Sequence, residues 1–149
     1  MKTTIRTALA GLVVVMISAG AASAQAPQIA QRQELMKGVG AAIGQIPPVM
    51  RNERPFDGAA MAAAANTIAT NLSNAKALYP AGSTSDASRA LPAIWERKAE
   101  FDALFDRSVE AARNLQQLAS AGNEAGFRAA FPALGQSCGA CHTPFRRPQ

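Results

Sequence analysis

Between Phe127 and Phe145, apolar residues recur in steps of 4, 3, 4, 3 and 4: Phe127, Phe131, Leu134, Cys138, Cys141 and Phe145. That spacing belongs to one face of an α-helix and suits no strand. Two of its six positions are the only cysteines in the chain, and the only histidine, His142, follows the second of them directly. A helix is thus predicted to keep Cys138 and Cys141 on its core-facing side, with His142 about 100° further round the same turn. C-x-x-C-H reads as an attachment site for c-type haem. The two thiols add to the haem vinyl groups and the imidazole coordinates iron from one face.

Other uses of two cysteines fit less well. A structural zinc site takes four ligands, and a catalytic one usually three protein ligands plus water. Cys138, Cys141 and His142 supply three at most, from a single short cluster. A thioredoxin-like C-x-x-C expects a βαβ context, and no strand pattern accompanies this one. A plain disulfide leaves His142 without a role.

The N-terminus predicts where such a protein is matured. Lys2 and Arg6 precede an apolar run from Ala8 to Ala22, which closes on Ala22-Ser23-Ala24, an A-x-A-like cleavage signature. A membrane anchor needs about 20 apolar residues. This run is shorter and is interrupted by Gly11, Ser18 and Gly20. Residues 1–24 are therefore expected to be a cleaved signal peptide and residues 25–149 a single domain, periplasmic and not membrane-bound after cleavage. Without Lys2 and Arg6 the 15 basic residues become 13 against 10 acidic, a net charge of +3. Two haem propionates bring that close to neutral. No aromatic-interleaved basic patch argues for nucleic acid. Arg146 and Arg147 form a small basic cluster beside the motif, suited either to the solvated end of a helix or to an acidic partner or propionate.

Four helical segments are predicted. The first runs from about Gln28 toward Met50, with Pro47-Pro48 kinking or ending it. The second is capped by Asp57 and carries Met61, Ala64, Ala65, Ile68, Leu72 and Ala75 down to about Leu78. A long loop from Tyr79 to about Arg89 follows. The third begins near Leu91-Pro92, with Trp95, Phe101, Leu104, Phe105, Val109, Ala112, Leu115 and Leu118 as its stripe. Ala121-Gly122-Asn123 then turns the chain into the cysteine-bearing helix. Four such segments make an all-α, antiparallel four-helix bundle, with haem covalently attached near the C-terminal end of the fourth helix. Pro132 and Pro144 fall inside that helix and predict a tilted His142 or an early helix end.

The group opposite His142 decides the chemistry. With no second histidine, a thioether is the remaining strong ligand, and Met36 is the candidate because it lies one turn from Arg32 on a shared face. Met36 is equally suited to fill space against the porphyrin. No catalytic carboxylate pair or nucleophile constellation supports an enzyme.

The chain resembles the cytochromes c′ over nearly all of residues 25–149. Arg32-Gln33-Glu34-Leu35-Met36-Lys37 matches that family's Arg-Gln pair followed by a bulky distal residue and a lysine. Pro55-Phe56-Asp57 resembles its turn into the second helix, and Ile94-Trp95 with Phe101 the start of its third. Ser137 to His142 followed by Phe145-Arg146 resembles its haem helix. The resemblance implies one haem c through Cys138 and Cys141, five-coordinate with His142 as proximal ligand and Met36 screening the distal face. It implies binding of NO and CO with discrimination against dioxygen. It also implies Arg146 beside the proximal ligand, Arg32 at the propionates, and a homodimer packed through the first two helices. Cofactor-binding positions expected on this basis are Cys138, Cys141, His142, Arg32, Gln33, Met36, Trp95, Phe145 and Arg146, with His142 on the metal. The related cytochromes c556 share the fold and imply the alternative, a low-spin electron carrier with Met36 as sixth ligand and a redox partner protein.

Overall fold

Two adjacent prolines decide where the first helix stops. Pro47 and Pro48 lack the N–H groups that the carbonyls of Ile43 and Gly44 need, and the Pro47 ring clashes with the Ile43 carbonyl in any continued helix. In the computed structural model, which describes residues 19–148 and their side chains from Pro27 to Pro148, helix α1 (Ala19–Ile43) ends at that point. A short α2 (Ile46–Met50) restarts with proline in its first turn, where a missing N–H costs nothing. The break thus precedes the prolines instead of falling on them. At the other end, α1 begins upstream of the expected Gln28, through the alanine-rich stretch from Ala19, which favours helix. The residues Met1 to Arg6 and most of the apolar run of the expected signal peptide lie outside the described residues. Its cleavage signature, Ala22 to Ala24, lies in the first turns of α1.

Helix α3 (Gly58–Lys76) is capped by Asp57, whose Oδ1 accepts from the Ala60 N–H at 3.0 Å. The six residues predicted to form its inner stripe are all buried. After the loop, α4 (Ala93–Glu96) and α5 (Lys98–Ser120) replace the single third helix expected, because the backbone at Arg97 leaves helical geometry (φ −122°, ψ 46°). Gly122, at φ +65°, takes the left-handed turn that a side chain disfavours. Asn123 then caps α6 (Glu124–Phe145) by accepting from Gly126 N–H at 2.9 Å.

Helix α6 runs through both Pro132 and Pro144 and stays helical to Phe145, so the early end expected from those prolines does not occur. Each removes one backbone bond, at the carbonyls of Arg128 and Ala140, without breaking the helix. The chain is all-α, a four-helix bundle of α1, α3, α5 and α6. Helix α3 packs on α1 and α5, and α5 on α6. The core between them includes Ile68, Leu72, Phe101, Phe105, Leu115, Phe127 and Leu134. The fourth side of the ring differs: α1 and α6 scarcely approach one another. Among the described residues no helix is long and apolar enough to cross a membrane.

Candidate cofactor site

The open side of the ring is where the predicted chemistry collects. A cavity of about 600 Å³ lies between α1 and α6, floored by side chains of α5. That volume falls within the range of small-molecule and cofactor pockets, about 300–1,000 Å³. From α1 it is lined by Arg32, Gln33, Met36 and Lys37, then by the apolar Val39, Gly40 and Ile43. From α6 come Cys138, Cys141, His142, Phe145 and Arg146. Eight of the nine expected positions therefore line one cavity, although they come from opposite ends of the sequence. Trp95 does not line it. Its indole Nε1 donates instead to the Pro80 carbonyl at 2.6 Å, fastening α4 to the preceding loop.

Both cysteines carry free, half-buried thiols. Burial raises both thiol pKa values, Cys141 to about 11, so the sulfurs are protonated at neutral pH. His142, unlike the two cysteines, is exposed at the edge of the cavity; partial desolvation, then the charges of Arg146 and Arg89, lowers its pKa. Its imidazole is accordingly neutral at pH 7, the state in which a ring nitrogen can bind a metal. Thr143, next to it, ties its hydroxyl back to the Gly139 carbonyl at 2.9 Å.

Arg32 is only 2% exposed, and no acidic side chain pairs with it. Nη1 donates to Leu78 O (3.2 Å) and Ser83 Oγ (2.9 Å). Nη2 donates to Ser83 O (2.7 Å) and Ser88 Oγ (2.8 Å). The guanidinium also stacks over the Tyr79 ring, 4.5 Å from its centroid. Burial lowers the Arg32 pKa from its ordinary value, yet an arginine remains charged. A fixed positive charge thus stands on the cavity wall, satisfied in hydrogen bonds but not in charge. Gln33 beside it reaches the same loop, donating from Nε2 to Ala87 O at 2.8 Å.

Cavity-lining residues that the motifs do not reveal include Tyr79, Ser88 and Arg89. All three belong to the connection between α3 and α4, which reads from sequence only as a loop. Ser83 and Ser88 are buried there, at 0% and 2% exposure. No pattern of spacing announces a buried loop serine.

These residues fit a haem c. The thiols, the imidazole, a cationic wall and an apolar lining between two helices are all present on one cavity. Comparison with known proteins points the same way. The family model for cytochrome c′ matches residues 27–146. The cytochrome c′ of Rhodopseudomonas palustris is 38% identical over 139 residues, 93% of this chain and 92% of that one. The cytochrome c-556 of Agrobacterium fabrum is 34% identical over 143 residues, 95% of each chain. Among solved structures, cytochrome c prime from Shewanella frigidimarina superposes with a TM-score of 0.78 at 26% identity, covering 83% of this chain and 97% of that one. The nitric oxide complex of a mutant cytochrome c prime from Alcaligenes xylosoxidans gives 0.78 at 26% identity, covering 84% and 97%.

Proposed function

This chain belongs to the cytochrome c′ family, and on that premise we propose that it is an exported, gas-binding haem protein with an open sixth position on iron. Its cofactor is the family's covalent haem c, for which Cys138 and Cys141 provide the thiols and His142 the proximal imidazole. When bound, the haem supplies an iron centre that takes small diatomic ligands and exchanges single electrons. The protein's own contributions are attachment, orientation and screening. Cys138 and Cys141 would hold the haem by adding S–H across its two vinyl groups, an addition that needs no oxidant. Arg32, a buried cation without a carboxylate partner, suits a propionate.

The observation that carries this reading is the composition of the α1 wall. Its three polar side chains are already engaged, Arg32 with Leu78, Ser83 and Ser88, Gln33 with Ala87, and Lys37 with Glu34. The rest of that wall, Met36, Val39, Gly40 and Ile43, carries no polar side-chain donor. A polar bound dioxygen finds no hydrogen bond there, whereas NO and CO need none. Met36 then screens the iron by bulk. The nitric oxide complex known for the Alcaligenes xylosoxidans relative supports the same ligand class.

A second reading has its own support. Met36 lines the cavity that holds His142, and the similar Agrobacterium fabrum protein is a cytochrome c-556. If the thioether bonds to iron, the protein is a low-spin electron carrier serving a redox partner. Neither reading makes it an enzyme. Both place the mature chain, residues 25–149, in the periplasm after cleavage behind Ala24. Both are compatible with a homodimer through α1 and α3, where Ala41 and Ala63 are exposed small residues.

Titration of the anaerobic ferrous holoprotein with NO, followed by electron paramagnetic resonance, tests the proposal. Stoichiometric appearance of a nitrosyl signal supports an accessible iron. A spectrum that NO leaves unchanged removes the gas-binding reading.

A further inference from the structure

The turn of α6 that carries His142 is short of internal support. Helix ends leave their last carbonyls without partners, and Pro144 removes one more bond from this turn, at Ala140 O. What the helix lacks is supplied from outside, by the connection between α3 and α4. Leu91 N–H donates to Phe145 O at 3.0 Å, and Arg147 N–H to Arg89 O at 2.8 Å, around an antiparallel bridge between Ala90 and Arg146. Arg89 donates from Nε (3.0 Å) and Nη2 (2.6 Å) to Arg147 O. Arg147 Nη2 returns the clasp, donating to Asp86 O at 3.3 Å and to Ser88 O.

Ser88 joins this clasp to the far wall of the cavity. Its hydroxyl oxygen accepts from Arg32 Nη2 at 2.8 Å and from Ala90 N–H at 3.2 Å. Arg32 lies on α1 one turn before Met36, and Ala90 pairs with Arg146, four residues after His142. One buried oxygen therefore connects the helix that screens the iron to the strand-like tail that follows the iron ligand.

We propose that Ser88 is a positioning residue for His142: by tying Arg32 of α1 to the strap that clasps Phe145 to Arg147, it sets the lean of the last turn of α6. The proposal rests on His142 being the sole protein ligand of a five-coordinate iron, as argued above. Replacing Ser88 by alanine leaves a buried Arg32 N–H and the Ala90 N–H without acceptors, and a buried donor without a partner is costly enough to move the strap. Ser83 provides the control. It is equally buried and also accepts from Arg32, through Oγ and its carbonyl, but bonds nothing in the tail.

The test is resonance Raman spectroscopy of the unliganded ferrous holoprotein, reading the iron–histidine stretching band, with amide exchange at Leu91 and Arg147 measured in parallel. Ser88→Ala shifts and broadens the band and speeds exchange at both amides. Ser88→Thr, which keeps the hydroxyl, restores both. Ser83→Ala leaves the band at its wild-type position. Arg147→Ala opens the clasp from its exposed end, leaving the bond between Arg32 and the Ser88 hydroxyl in place, and shifts the band in the same direction as Ser88→Ala. A band unmoved by Ser88→Ala or Arg147→Ala, or moved equally by Ser83→Ala, overturns the proposal while leaving His142 as ligand. A wild-type protein without the band removes the five-coordinate reading itself, and the proposal falls with it.

Discussion

The rings of Phe101 and Phe145 meet edge to face, with centroids 5.3 Å apart and planes at 85°. This contact joins the start of α5 to the last residue of α6, so the floor of the cavity and its cysteine-bearing wall are one packed unit. Phe105 and Tyr79 extend the cluster on the α5 side, at 4.9 Å and 4.8 Å from Phe101. The Arg97 guanidinium covers the Phe145 ring at 4.7 Å from its centroid. Phe145 is therefore fixed from several directions, three residues beyond His142.

Truncation at this point is expected to be expensive. Phe145 is 2% exposed, and deleting such a ring typically costs about 3–5 kcal/mol. Phe145→Ala should lower the denaturant midpoint of the holoprotein by a corresponding amount, and Phe145→Leu by clearly less. Urea unfolding followed by circular dichroism measures both.

The helix cap at Asp57 makes a smaller, local contribution. Its carboxylate satisfies the Ala60 N–H at the exposed start of α3, a bond worth about 1 kcal/mol. Asp57→Ala should show that loss in chemical denaturation, and Asp57→Ser should recover most of it.

Much of this architecture is legible from the amino acids. The stripe from Phe127 to Phe145 survives because a helix with apolar positions at steps of three and four has one way to bury them. The caps Asp57 and Asn123 are legible because their side chains act on amides three residues away. Trp95 shows where periodicity fails. Six residues before Phe101, it falls about 120° off that residue's stripe even on a continuous helix; the break at Arg97 separates it further, and its indole bonds Pro80 instead. The role of Ser83 and Ser88 is hidden for another reason. Their burial is imposed by a cation 51 and 56 residues away, and no local pattern encodes so distant a partner.

Tyr79 gives the protein an alkaline sensitivity. Burial raises its pKa above the ordinary value of 10.0, with the Arg32 charge opposing. The folded chain thus holds the phenolic proton more tightly than the unfolded one. Its contribution is fully present below pH about 10 and is lost as pH rises through the folded value. Thermal unfolding between pH about 9 and 11 should show a steeper loss for wild type than for Tyr79→Phe. Parallel pH profiles for the two proteins contradict this assignment.

Met36 tests the distal wall. If its side chain only screens the iron, Met36→Ala leaves the ferric spectrum high-spin and speeds CO binding to the ferrous protein. Stopped-flow mixing with CO reads the rate. A low-spin wild type that becomes high-spin in Met36→Ala identifies the thioether as a ligand and contradicts the screening role.

Everything proposed for the cavity between α1 and α6 depends on an open iron site there. Visible absorption of the purified holoprotein, oxidised and reduced, before and after CO, tests it most directly. An open site gives a high-spin spectrum in both oxidation states and a shifted Soret band when CO is added to the reduced protein. A low-spin spectrum that CO leaves unmoved contradicts it and makes the protein an electron carrier.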